Sequence, residues 1–314
     1  MSTASLIYAE NAEALAREVE AHLPDEQVVT VTRPEDLAPA LARHEPDAVF
    51  SIKSMLLGPE IHRPILDAPS VRWLHVGGSG YEHVAGWDPD RMTVTNCVGV
   101  LAPFLAETVI GALVAMNSGL FRYHRQQAEH LWRQHWFRPL AGQTLLIVGA
   151  GAIGGEVARR AKALGMHVIG IRRSPDPVEG CAEMRPPEAL RDSLAEADAV
   201  SLHLRLTPET EDLFDATMFA AMKSGAKFIN TARGGHVVEA DLIAALESGH
   251  LGSAYQDVFH TEPLPETSPL WDAPNLLITP HASDGVDDWE TRFNGLFIEN
   301  LTAWRAGREM RNVV

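Results

Sequence analysis

Thr144 to Ser174 reads TLLIVGAGAIGGEVARRAKALGMHVIGIRRS, and the fold follows from this stretch. It opens on a short apolar run of strand type, Leu145 to Val148. Three glycines follow at the spacing G-x-G-x-x-G: Gly149, Gly151 and Gly154. A helical stretch comes next, with apolar or small residues at Val157, Ala158, Ala161 and Leu164. Gly165 closes it, and a second apolar run, Met166 to Ile171, begins. Strand, glycine turn, helix and strand in this order form a dinucleotide-binding unit. Gly149 takes the tight turn, Gly151 lets the backbone approach a pyrophosphate, and Gly154 lets the helix lie close to the strand. Ala152 and Ile153 complete the turn at the helix N-terminus, where free N–H groups and a partial positive charge face the phosphates. The glycine spacing alone is weak, because glycines also mark ordinary turns. Here the required strand and helix flank it on both sides.

The end of the second strand bears on which dinucleotide is bound. An NAD-binding unit places Asp or Glu about 20 residues past the first glycine, to hold the ribose 2′-hydroxyl. Here that place reads Ile171-Arg172-Arg173-Ser174, with no acid before Asp176. Two guanidiniums and a hydroxyl suit a 2′-phosphate, and a carboxylate would repel it. The segment favours NADP over NAD. A solvated basic loop is the other reading of it.

The chain has 314 residues, enough for two domains and a large core. A hydrophobic content of 46% with 22% charged residues is that of a soluble globular protein. No uninterrupted apolar run reaches membrane-spanning length, and the N-terminus lacks the basic and apolar regions of a signal peptide. Cys97 and Cys181 are the two cysteines. They make no disulfide framework and no spaced metal set, which fits a reducing cytoplasm. The net charge of −16 argues against nucleic acid and anionic membrane as partners. It leaves room for a small anionic substrate, because local arginines can dominate a pocket.

Before the glycine turn, strand patterns at 6–9, 28–31, 48–52 and 71–76 alternate with helical ones. The fourth runs into Gly77-Gly78-Ser79-Gly80, which reads equally as a carboxylate-binding loop or a flexible turn. A single long helix is expected from Pro103 to about Trp132, apolar all round in its first half and hence buried. His124, His130 and His135 fall in or near its polar half as solvated or packing residues. Trp132, Trp136 and Phe137 read as inter-domain packing, or as lining for a substrate cavity. After Ser174 the alternation resumes, with strands at 199–204, 227–230, 252–258 and 275–279 and a final helix over 286–304. Met310 to Val314 reads as a short strand.

Ligands of an open α/β sheet gather outside the carboxyl ends of its strands. Arg233, Asp257, Glu262 and His281 all fall at or just past such ends, and His203 ends a strand where it can touch a cofactor. Reducing a carbonyl by hydride needs a cation that anchors and polarises the substrate, an acid for the new alkoxide, and a group that tunes that acid. Arg233 can grip a carboxylate and a neighbouring carbonyl oxygen together. His281 can give or take a proton, and Glu262 can fix its tautomer and hold it charged until reduction. Asp257 can bind the nicotinamide carboxamide or orient its own loop. No metal-ligand spacing is present, so hydride transfer without metal is the simpler chemistry.

These segments, taken in order, resemble the D-isomer-specific 2-hydroxyacid dehydrogenases. The resemblance rests on GAGAIG at 149–154, SLHLRLTPET at 201–210, FINTARGGHVVEADLIAALESGHL at 228–251, DVFHTEPLP at 257–265 and ITPHAS at 278–283. It covers most of residues 95–285, and the first ninety match weakly. It implies Arg233, Glu262 and His281 as the catalytic set. Ser79 and Gly80, within GSGYEHV, would hold the substrate carboxylate by their backbone. Leu204, Pro208, Thr231, Ala232 and Ser283 join His203 and Asp257 as cofactor contacts. The implied fold is α/β, with two Rossmann-like doubly wound parallel-sheet domains. The nucleotide domain, 103–282, is inserted into a substrate domain made of 1–102 and 283–314. The helix after Pro103 would form part of a homodimer interface. The nearest subgroup implied is glyoxylate/hydroxypyruvate reductase, preferring NADPH, with NAD possible. Two departures bear on substrate choice: Ala282-Ser283-Asp284-Gly285-Val286 replaces the usual small-residue run, and Gln256 stands where an apolar residue is common. The alternatives are a nucleotide-sensing corepressor-like protein, or a dehydrogenase for another acid such as phosphoglycerate or formate.

Overall fold

Residues 4–52, 62–81, 84 and 86–314 are described in a computed structural model of the chain. The chain forms two units, Met1–Leu101 with Val286–Val314, and Ala102–Gly285.

The first unit begins β1 (Ala4–Tyr8), α1 (Ala12–His22), β2 (Gln27–Val31), α2 (Pro34–His44), β3 (Ala48–Ile52), α3 (Arg63–Asp67), β4 (Trp73–Gly77) and β5 (Thr93–Asn96). Its five strands are all parallel, in the order β2-β1-β3-β4-β5. The runs ASLIY, AVFSI and WLHVG are buried along their whole length. That is the pattern of central strands covered on both faces. Pro34 opens α2 as its first residue, where a missing N–H costs nothing. The loop after β4 is tied down: Cys97 N donates to Gly78 O at 2.8 Å, and Asn96 Nδ2 to Ser79 O at 2.9 Å. These bonds hold the carbonyls of Gly78 and Ser79. Glu82 and His83 of the same stretch lie outside the described residues.

The second unit carries α4 (Ala102–Ser118), α5 (Leu120–Ala128), β6 (Thr144–Val148), α6 (Ala152–Ala163), β7 (His167–Ile171), β8 (Glu183–Arg185), α7 (Leu190–Leu194), β9 (Ala199–Leu202), α8 (Ala216–Ala221), β10 (Ala226–Asn230), α9 (Glu239–Glu247), β11 (Leu251–Gln256) and β12 (Leu276–Ile278). Its sheet is parallel, in the order β12-β11-β10-β9-β6-β7-β8. Strand order reverses at β6, so the glycine turn that follows β6 stands at the switch point, where such sheets bind ligands. The pleat divides β6 between two cores. Leu146 and Val148 join the cluster under α7, α8 and α9, whereas Leu145 and Ile147 join the one under α4 and α6. The last helix, α10 (Trp289–Arg305), returns to the first unit, where Phe297 stacks on Trp73 and Phe50 at centroid distances of 5.2 and 5.0 Å.

The expected single helix from Pro103 to Trp132 is two helices. Gly119 adopts a left-handed φ of 74° between α4 and α5, and the pair bends by 64°. The apolar half is α4, which buries Leu105, Ala106, Val109, Leu113 and Met116. The more polar α5 keeps Phe121 against that core, and the glycine lets the rest of the helix change direction. His130 and His135 therefore lie beyond the helices. Among the described residues no single helix is long and apolar enough to cross a membrane. Trp132 and Trp136 are 96% and 92% exposed, so neither packs within the chain as expected. The C-terminal residues make one antiparallel bridge, Thr95 to Val313, rather than a strand.

Candidate active site

The strands β10, β11 and β12 lie side by side in register, with Asn230 opposite Gln256 and Gln256 opposite Ile278. Their carboxyl ends thus bring three loops together. The β10 loop carries Arg233, the β11 loop Asp257 to Glu262, and the β12 loop His281.

Two of the three proposed catalytic groups are bonded to each other. His281 Nδ1 lies 2.7 Å from Glu262 Oε2. The other carboxylate oxygen, Oε1, accepts from Phe259 N at 2.9 Å, which fixes the carboxylate plane. With Nδ1–H donated to Glu262, Nε2 is left to exchange a proton with a ligand. The pair is substantially exposed, and such a pair adds about 0–1 kcal/mol to stability. Stability alone does not account for its geometry.

His281 has a left-handed φ of 51°, a conformation that costs a non-glycine residue on the order of 1 kcal/mol. Asp257 over-determines it. This fully buried residue accepts from His281 N through its backbone oxygen at 2.8 Å. Its carboxylate accepts from Thr279 Oγ1, from Ala282 N at 2.9 Å and from Ser283 N at 3.1 Å. Of the two roles the sequence left open for Asp257, the structure displays the orienting one. Ser283 is held further by Thr108 Oγ1, which donates to its carbonyl at 2.8 Å.

Arg233 is half-buried, and its Nη1 donates to the carbonyl of Ala232 at 2.7 Å. Among the described residues it forms no ion pair, so its charge is available to an anionic ligand. Gly234, the next residue, packs against the backbone of Phe259 and His260, closer than any Cβ would allow. The loop bearing the guanidinium is thereby laid directly on the loop bearing the carboxylate.

The glycine turn has the form the sequence required. Gly149 has a φ of 100° and lies against the His203 carbonyl, and Gly154 lies against the Gly149 carbonyl and Ile147. A Cβ on Gly151 would meet open space, as a position kept clear for a ligand backbone should. Ala152 and Ile153 begin α6. Thr231 Oγ1 and His203 Nδ1, just past the ends of β10 and β9, are buried with no protein partner among the described residues. Together with the clear space at Gly151, these atoms fit a bound dinucleotide. Burial pushes the His203 imidazole down to about 3, so the ring is neutral; its Nε2 pairs with Ser201 Oγ at 2.9 Å. Leu204 and Pro208 lie on the next loop, and Ala232 N donates to Asn230 Oδ1 at 3.0 Å. Arg172 is half-buried and Arg173 exposed, and neither forms an ion pair among the described residues. Ser174, however, donates its hydroxyl to Asp176. The turn at Pro175 brings that carboxylate back to the strand end, which spacing alone did not show.

Two residues of this region escaped the sequence reading. His236 is fully buried, and its ring nitrogens lie 2.9 Å from Thr210 O and 3.2 Å from Leu204 O, bracing the loop beside Gly149. Asp284 lies in the field of both His281 and Arg233. Burial raises its carboxyl above the usual range, with nearby Asp257 adding to the shift and the two cations opposing it. The acid in Ser-Asp-Gly-Val was the visible signal for it.

A seven-stranded parallel sheet with this turn at its switch point defines a dinucleotide-binding domain. Comparison with known proteins gives the family. Residues 110–283 match the D-isomer specific 2-hydroxyacid dehydrogenase, NAD binding domain. A glyoxylate reductase of Korarchaeum cryptofilum is 33% identical over 279 residues, covering 85% of this chain and 82% of that one. Glyoxylate/hydroxypyruvate reductase B of Escherichia fergusonii is 32% identical, covering 100% of this chain and 98% of its own. Among solved structures, a D-isomer specific 2-hydroxyacid dehydrogenase family protein from Aeromonas salmonicida superposes with a TM-score of 0.88 at 31% identity, covering 100% and 99% of the two chains. The chain belongs to the D-isomer-specific 2-hydroxyacid dehydrogenase family and is an oxidoreductase of that family. Its relatives include a glycerate dehydrogenase of Methylorubrum extorquens, 32% identical over 258 residues, which covers 78% of this chain and 79% of its own.

Proposed function

We propose that this protein reduces small 2-oxo acids such as glyoxylate and hydroxypyruvate to D-2-hydroxy acids with NADPH. The observation that carries the reading is the Glu262–His281 pair beside an uncommitted Arg233 at adjacent strand ends. Arg233 anchors the substrate carboxylate and polarises its carbonyl. A bound reduced nicotinamide supplies the hydride. His281 gives its Nε2 proton to the oxygen as charge develops there, and Glu262 Oε2 stabilises the imidazolium through Nδ1. The glycine turn, Thr231, Ala232, His203, Leu204, Pro208 and Ser283 form the cofactor-binding set of this proposal. The family resemblance assigns Ser79 and Gly80 to the substrate carboxylate, and that assignment is part of the proposal, as is a homodimer.

Arg172 and Arg173 support NADPH, since two guanidiniums that form no ion pair among the described residues suit a 2′-phosphate, although Arg173 lies in the field of Glu209. A related structure from Sinorhizobium meliloti, described as an NADPH-dependent glyoxylate/hydroxypyruvate reductase, holds NADP; it is 27% identical with a TM-score of 0.84, covering 99% of this chain and 98% of its own. The contact of Asp176 with Ser174 favours a second reading, in which NADH is also accepted. Turnover of glyoxylate, hydroxypyruvate and phosphohydroxypyruvate with each cofactor tests both. NADPH should give the higher kcat/KM, and changing Arg172 and Arg173 to Ala should lower it at least tenfold while leaving NADH nearly unaffected. Equal loss with both cofactors would overturn the cofactor assignment. Absence of cofactor oxidation with every acid would overturn the reductase reading in favour of a nucleotide sensor.

A further inference from the structure

The proposed cofactor and catalytic groups use the carboxyl edge of the second unit's sheet. At the amino edge, where β6, β9 and β10 begin, a cavity of about 270 Å³ opens, lined by Arg138, Gln143, Asp198 and Lys227 among others. The strands there are four or five residues long, so the two edges lie roughly 15 Å apart.

Charge is unbalanced around this cavity. Asp198 accepts from Thr144 N at 2.8 Å through one oxygen. Its other oxygen is shared by Lys223 Nζ at 3.2 Å and Arg138 Nη1 at 3.5 Å. Lys227 is half-buried beside them, and its ammonium finds one acceptor, Gln143 Oε1, at 3.5 Å. Two cations, Arg138 and Lys227, thus line the cavity with one carboxylate, Asp198, which also pairs with Lys223 outside the lining, in a chain whose net charge is −16. The nearby Glu196 pairs with Arg185 at 2.7 Å. Two neutral donors are already used: Gln143 Nε2 donates to Asn117 Oδ1, Arg138 O and Pro139 O, and Gly225 N donates to His250 O at 2.7 Å.

We infer that this cavity binds a small multivalent oxyanion, of which phosphate is the smallest, through Lys227 and Arg138. Several oxygens on one centre can accept from Lys227 while bridging to Arg138. The cavity holds a phosphate or a small phosphorylated or polycarboxylic acid, and is far too small for a dinucleotide. Burial lowers the ammonium of Lys227, with Asp198 opposing and Arg138 adding to the shift. The bound ion would also tie the 138–143 segment to the sheet.

The test is calorimetric titration of the full-length protein with inorganic phosphate and with citrate at fixed ionic strength. It is done in an Arg172→Ala/Arg173→Ala background, so that the proposed 2′-phosphate site does not contribute. Saturable binding is expected, with a thermal midpoint that rises by a few degrees under saturating anion. Lys227→Met should weaken binding at least tenfold, while Lys227→Arg restores most of it. Circular dichroism without anion shows whether each variant folds. Should Lys227→Met not fold, Arg138→Gln provides the same comparison. Phosphate without citrate would indicate a tetrahedral ligand, and both would indicate a general polyanion site. Absence of saturable binding, or binding indifferent to both Lys227→Met and Arg138→Gln, would overturn the proposal. Since neither residue belongs to the proposed active site, that outcome leaves the reductase reading untouched.

Discussion

Replacing Gly234 by alanine should disable the protein while adding a single methyl group. A Cβ at this position would stand against the Phe259 carbonyl group and His260 N, inside the 3.0 Å that Cβ atoms essentially never breach. These are backbone atoms, so no side-chain rotation can relieve the clash. Ordinary contact begins at 3.4 Å. The loop of Arg233 and the loop of Glu262 must therefore part by on the order of 1 Å, a misplacement that costs about 10²-fold in rate. Overpacking of this kind costs roughly 1–3 kcal/mol in stability, or a few degrees in a unit of this size. The assay is steady-state reduction of glyoxylate beside a thermal melt. The prediction is a folded variant with kcat lowered about a hundredfold and a Tm lowered by several degrees. Wild-type kcat in Gly234→Ala would refute the claim that the contact of these two loops sets the site.

Gln256 is fully buried, and both polar atoms of its side chain lack a partner among the described residues. Gln256→Leu removes two unsatisfied groups at nearly constant volume. It should stabilise the protein by about 1–3 kcal/mol in urea melts, and destabilisation would mean that the amide is satisfied. His75 is fully buried, hydrogen-bonded to Thr95 Oγ1 at 2.7 Å, and pushed by burial from 6.5 down to about 3. Below 6.5 the unfolded chain binds a proton that the folded one refuses. Stability from this group is thus complete above 6.5 and is lost as pH falls toward 3. The loss between pH 7 and 5 is about 2 kcal/mol. Urea melts of wild type and His75→Gln at both pH values check this; an equally steep pH dependence in the variant would contradict it.

The nucleotide unit was legible because its signals are local. Strand, turn and helix share one thirty-residue window, and the three glycines have steric reasons that depend on near neighbours. Arg233, Glu262 and His281 were legible because strand ends in a parallel sheet converge by rule, which the register of β10, β11 and β12 bears out. The strands β5 and β8 were missed because TVTN and EMR hold one apolar residue each and so show no apolar run. The break at Gly119 was missed because one glycine is tolerated in many helices. The clamp by Asp257 depends on hydrogen bonds across more than twenty residues, which periodicity does not encode. The return of Asp176 onto Ser174 is a matter of turn geometry at Pro175.

The central claim is that His281, held by Glu262, is the acid of a carbonyl reduction. Glyoxylate-dependent oxidation of NADPH, measured in wild type and His281→Gln alongside direct titration of NADPH binding, tests it most directly. The account predicts turnover lowered about 10²–10⁴-fold in the variant with cofactor affinity unchanged. A variant that reduces glyoxylate at the wild-type rate would contradict it.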